Sequence, residues 1–109
     1  MPYTQKAGSS NLPGPTIDMV DKIKCAHILV KKQSVAYSIL ERINKGESFS
    51  KLAEQFSIDS SRRRGGELGY FGRGVMVKEF EKAAFSLNKG QISQPVKTQF
   101  GYHIIKRLD

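Results

Sequence analysis

The strongest constraint in the sequence is the stretch from Ile23 to Val30, where Ile23, Cys25, His27 and Leu29 alternate with Lys24, Ala26, Ile28 and Val30. A period of two marks a β-strand. Apolar side chains fall on both faces, so the strand is expected at the centre of a sheet with packing on either side. The chain has 109 residues, enough for one small core and not for two. The remaining elements therefore have to pack around this strand.

Downstream, Val35, Ala36, Ile39, Leu40 and Ile43 recur at helical spacing, and Gly46 follows as a stop, which predicts a first helix from about Ser34 to Lys45. Ser48 is placed to cap a second, short helix with Phe49, Leu52, Ala53 and Phe56 on its inner face, ending near Ser57. Residues 57–75 hold five glycines and read as a long shaped loop with at most one short strand. A third helix is marked by Val77, Phe80, Ala83, Ala84 and Leu87. Two strands close the chain: Gln91 to Lys97, peripheral because it carries Pro95, and Tyr102 to Leu108, joined by a turn at Thr98 to Gly101. The order β, α, α, short β, α, β, β predicts an α+β domain with a largely antiparallel sheet. Residues 1–19, rich in Gly, Ser and Pro, read as a flexible leader or an appended remnant, which leaves 20–109 as the folded domain.

Composition narrows the function classes. No apolar run approaches the roughly 18 to 20 residues of a membrane span, and the N-terminus lacks the basic and apolar regions of an export signal, so neither is expected. Cys25 is the only cysteine, which excludes an intramolecular disulfide. With only two histidines beside it, no zinc ligand set can be assembled and no metal or other cofactor is expected. Reducing, cytoplasmic surroundings and a monomer are the corresponding expectations. Eighteen Lys and Arg against ten Asp and Glu leave a net charge of +8, all of it on residues 20–109, and this favours anionic partners: an acidic protein, nucleic acid or a membrane surface.

Several residues stand out for chemistry. His27 and His103 each interrupt an apolar strand; each is either a core histidine satisfied by a neighbour or part of a site. If the first and last strands are neighbours, the two rings can bond each other or share Thr98 in one polar network. Asp59 follows the second helix, as a turn residue bonding its own backbone or as a carboxylate facing a cleft. Cys25 lies two residues from His27, about 6.5 to 7 Å along a strand, too far for a Cys–His nucleophilic pair, and reads as a buried thiol. Arg62 to Arg64 form either a solvated loop or an anion contact, and GELGYFGRG has the spacing of no phosphate-binding loop. Leu68, Met76, Phe80 and Phe100 are either core or the wall of an apolar cup.

Taken in order, KIKCAHILVKK, FSIDSSRRRGGELGYFGRGVMVKEFEKAAFSL and GQISQPVKTQFGYHIIKRL resemble the parvulin-type peptidyl-prolyl cis/trans isomerases, from about Lys22 to Leu108. The resemblance implies a βαααβαββ domain with a four-stranded antiparallel sheet surrounded by helices. The extra helix relative to the count above would be a short turn around Asp59 to Arg62. It implies that His27, His103, Thr98 and Asp59 are the catalytic set, and that Leu68, Met76, Phe80 and Phe100 bind the substrate around its proline ring. Asp59 and Phe100 together resemble members that do not require phosphorylated substrates. The partners implied are proline-containing segments of client proteins. Loss of Phe80 to Ala is expected to abolish most activity without unfolding. Two other readings stand beside this one: a basic module for nucleic acid or an anionic membrane surface, and a peptide-binding chaperone without catalysis.

Overall fold

The computed structural model describes residues 21–109, so the leader expected at 1–19 lies outside the described residues. Four antiparallel strands form one sheet in the order β2-β1-β4-β3: β1 (Lys22–Val30), β2 (Glu67–Gly72), β3 (Val96–Thr98) and β4 (Gly101–Arg107). The strand that is apolar on both faces, β1, is central as its alternation predicts, paired with β2 on one side and β4 on the other. Helices α1 (Gln33–Asn44) and α2 (Phe49–Phe56) bury Ala36, Ile39, Leu40, Leu52 and Ala53 against Ala26, Ile28, Val30 and Ile104. Helix α3 (Lys78–Ser86) sets Phe80 and Ala84 against Ile23, Cys25, Phe71 and Ile105 on the opposite face. Six Ile and Leu side chains are almost wholly removed from water, each worth about 1.5 to 3 kcal/mol of burial.

Helix α2 starts where its cap predicts: the Ser48 hydroxyl accepts the Lys51 amide at 3.3 Å. The glycine-rich stretch is more structured than a loop. It contains a 3-10 helix at Ser60–Arg64, close to the extra turn that the family resemblance implies, and then the six-residue strand β2.

The strand expected at Gln91 to Lys97 is cut to Val96–Thr98, with a single bridge at Ile92 to Lys106 upstream. Pro95 has no N–H to donate, and the Ser93 hydroxyl takes the place of a backbone acceptor. The Ser93 amide donates to Ile105 O at 2.8 Å, while Ser93 Oγ accepts from Ile105 N at 3.0 Å. The segment thus follows β4 without forming a continuous ladder. Among the described residues, no helix is long and apolar enough to cross a membrane.

Candidate active site

The floor of the site follows from strand pairing. His27 on β1 lies opposite Ile105, and His103 on β4 lies opposite Leu29, which makes the two histidines diagonal neighbours on one face of the sheet. Their rings stack with centroids 5.1 Å apart, and the two Nδ1 atoms are 2.9 Å apart. Phe80 from α3 stands edge-on to both, at 5.5 and 5.3 Å. Thr98, at the end of β3, places Oγ1 2.7 Å from His103 Nε2 and accepts the Phe100 amide at 3.1 Å.

Asp59 is held from three directions. Its carboxylate caps the 3-10 helix by accepting the Ser61 amide at 2.9 Å, and its own amide donates to Ser57 Oγ at 3.3 Å. The Ile58 amide donates to Leu29 O at 2.9 Å, tying this turn to β1. Asp59 Oδ2 then lies 3.3 Å from His27 Nε2, close but off the hydrogen-bond direction.

One assignment of protons satisfies the contacts from His27 Nδ1 to Phe100 and leaves His27 Nε2 facing the carboxylate without a directed hydrogen bond. A carboxylate only accepts, so His27 turns an Nε2–H toward Asp59 and keeps Nδ1 as an acceptor. His103 then donates Nδ1–H to His27 and accepts the Thr98 hydroxyl at Nε2, while the Thr98 oxygen accepts the Phe100 amide. Burial lowers the pKa of both histidines. For His103 burial, together with the charge His27 would carry, pushes it down to about 4. Burial works against the charged form of Asp59, yet contacts from Ser61 and His27 hold it down to about 2. At neutral pH the site is therefore two neutral imidazoles beside one carboxylate.

Above this floor opens a cavity of about 340 Å³. Leu68, Met76, Phe80 and Phe100 line it, with His27, His103 and Asp59. Of the eight catalytic and substrate-binding residues that the family resemblance implies, all reach the cavity except Thr98, which stands behind His103; Cys25 and Arg62 to Arg64 do not line it. Leu29, Val75 and Val77 also line it and were not singled out. Leu29 was readable, since it shares the alternating face of His27.

Leu68 arrives by a bulge. Cys25 pairs with Gly69 but Ala26 pairs with Glu67, so Leu68 is the extra residue and packs with the Phe71 and Phe80 cluster. Gly69 adopts φ 78°, the left-handed geometry such a bulge uses.

Cys25 is fully buried, and burial raises its thiol to about 11 in spite of nearby Arg107. It is no nucleophile. Among the described residues, no group of three or more His, Cys, Asp or Glu side chains is placed to hold a metal.

The site is thus a mostly apolar cup with a polar, uncharged floor and one carboxylate at its rim. Comparisons with known proteins agree with it. Residues 15–109 match the family model of the PPIC-type PPIase domain. The chain is 54% identical over 89 residues to the foldase protein PrsA 1 of Bacillus cereus, covering 81% of this chain and 31% of that protein. It thus spans about a third of the length of such curated relatives. Two solved archaeal proteins are covered end to end. NmPin, the parvulin of Nitrosopumilus maritimus, is 56% identical with a TM-score of 0.75 over 88% of this chain. CsPin from the psychrophilic archaeon Cenarchaeum symbiosum is 61% identical with a TM-score of 0.74, also over 88%. The chain belongs to the PPIC-type, or parvulin, family of peptidyl-prolyl cis/trans isomerases.

Proposed function

We propose that the chain accelerates cis/trans rotation of X-Pro bonds in flexible or unfolded client segments, by a non-covalent route and without requiring a phosphorylated residue. The observation that carries this reading is the apolar cup set directly over the neutral His27–His103 pair, with Asp59 at its rim. Amide resonance makes the uncatalysed rotation of an X-Pro bond take roughly tens to hundreds of seconds. Leu68, Met76 and Phe80 grip the proline ring while the preceding carbonyl swings. Loss of water from that carbonyl disfavours the charge-separated amide form that resists rotation. The Asp59 carboxylate disfavours it further where negative charge would build on the oxygen. His27, His103 and Thr98 keep the floor rigid, and no bond is broken.

The connection from β1 to α1 supports substrate choice without phosphate. Only Lys31 and Lys32 separate the two elements, which leaves no room there for a long basic loop. The foldase name of the PrsA relatives supports protein clients. The reading keeps the cytoplasmic setting and monomeric state that the sequence suggests.

The test is two-dimensional NMR exchange on Ala-Pro, Glu-Pro and phospho-Ser-Pro peptides with catalytic amounts of the chain. Cis–trans cross-peaks are expected for the unphosphorylated peptides, weakened in Met76→Ala. Exchange of the phosphopeptide alone would overturn the substrate reading, and no exchange at all would leave a binding module.

A further inference from the structure

A second cavity borders the first. It measures about 800 Å³, is lined by Gln55, Ile58, Asp59, Arg62, Arg63 and Arg64 among others, and shares Asp59 with the proline cup. The three arginines are exposed at the end of the 3-10 helix, and among the described residues none has a carboxylate within 4 Å. Four other surface cations are paired, Lys24 with Glu67, Arg42 with Glu47, Lys45 with Glu41 and Lys89 with Asp109. Among the described residues, scattered ones such as Lys31, Lys51 and Lys82 are not, so what sets the arginines apart is their clustering beside a cavity. Nor do the arginines serve Asp59, whose low pKa comes from Ser61 and His27. Three guanidinium groups therefore stand unneutralised beside a cavity that opens onto the site. Ile58, half exposed, forms an apolar shelf on the way to them.

We propose that this arginine-lined cavity is a substrate subsite, which takes an acidic side chain of the same client chain whose proline occupies the cup. The inference rests on the isomerase reading and adds a sequence preference to it. Asp59 sits between the two cavities, so an acidic residue next to the proline meets a like charge. An extended chain advances about 3.3 Å per residue, so a Glu two or three residues from the proline passes Asp59 and reaches the guanidinium groups. The stem of Glu lies along Ile58 and its carboxylate accepts from Arg62, Arg63 or Arg64. An exposed pairing of this kind is worth about two- to fivefold in kcat/KM and weakens with salt.

The experiment scans a single Glu, against Gln, through the three positions on each side of the proline in an otherwise neutral peptide, with exchange rates measured at low and high salt. A Glu:Gln preference of about two- to fivefold, peaking two or three residues away and fading with salt, is expected. In the Arg62→Gln, Arg63→Gln, Arg64→Gln triple variant the ratio collapses to one. Equal rates for Glu and Gln everywhere, a preference confined to the residue beside the proline, or one that survives the triple variant would each overturn the subsite. So would a triple variant with a lower melting temperature and an unchanged ratio, since the arginines would then serve only the helix ends. If the native chain turns over no peptide, the isomerase reading fails by itself. Affinities of the Glu and Gln peptides, from NMR titration, then decide the subsite separately.

Discussion

Asp59 does two jobs with one carboxylate: it caps the 3-10 helix through the Ser61 amide, and it faces His27 across 3.3 Å. Substitution separates the two roles. Asp59→Asn keeps an oxygen for the cap and removes the charge, so kcat/KM for an Ala-Pro peptide should fall about tenfold or more while the urea midpoint moves by less than about 1 kcal/mol in stability. Equal activity in this variant would remove the carboxylate from the mechanism. Phe80 is a poorer probe than the sequence suggests. It is 2% exposed and packs with Phe71 and Ala84 as well as lining the cup, so Phe80→Ala opens a core cavity costing about 3 to 5 kcal/mol and confounds activity with folding. The contact among His27, His103 and Thr98 was one arrangement that residue type and setting left open, because a histidine in an apolar strand needs a partner, whereas Asp59 read equally as a turn residue and was placed beside them by the family resemblance. That the cup is open rather than filled was not legible, since apolar residues lining a core and a cavity read alike.

The helices were the most readable elements, with apolar spacing, the stop at Gly46 and the cap at Ser48 placing α1, α2 and α3 to within a residue or two. The stretch between α2 and α3 was not, because its order comes from backbone geometry that glycine hides. Gly66 is the clearest case. It adopts φ 87°, accepts the His27 amide on its carbonyl at 2.9 Å, and leaves no space for a side chain, since a Cβ there would lie 2.3 Å from His27 O. Gly69 also has positive φ, at 78°, but a Cβ there meets nothing within 4 Å. Gly69→Ala should therefore cost only the conformational strain, about 1 to 2 kcal/mol, and Gly66→Ala about 3 kcal/mol or more, through collision with the strand that carries His27. Urea denaturation of the pair measures the difference; equal losses would mean that the close approach at Gly66 relaxes freely. The bulge at Leu68 was equally hidden, because simple alternation puts that side chain on the α1 and α2 face.

At the scale of the whole molecule, the buried histidines link folding to pH. Burial holds His103 down to about 4 in the folded chain, against about 6.5 for a free histidine, and displaces His27 in the same direction. Between those values the unfolded chain binds more protons than the native one, so stability is lost as pH falls through the window, by up to about 1.4 kcal/mol per unit for each histidine. Asp59, lowered from 3.8 to about 2, extends the loss below pH 4 with the same sign. Urea titrations should show a drop of roughly 2 kcal/mol or more from pH 7 to pH 5, and a flat profile would contradict the neutral assignment of the pair. The sheet order has a consequence of another kind. With β1 and β4 side by side, the Lys24 amide donates to Asp109 O at 3.2 Å and the Leu108 amide donates to Lys24 O at 2.7 Å, so the polypeptide enters and leaves the domain at one place. A unit whose two ends meet can be spliced into a longer host chain without opening its sheet, which fits its match both to the whole of a solved archaeal chain and to about a third of a bacterial foldase.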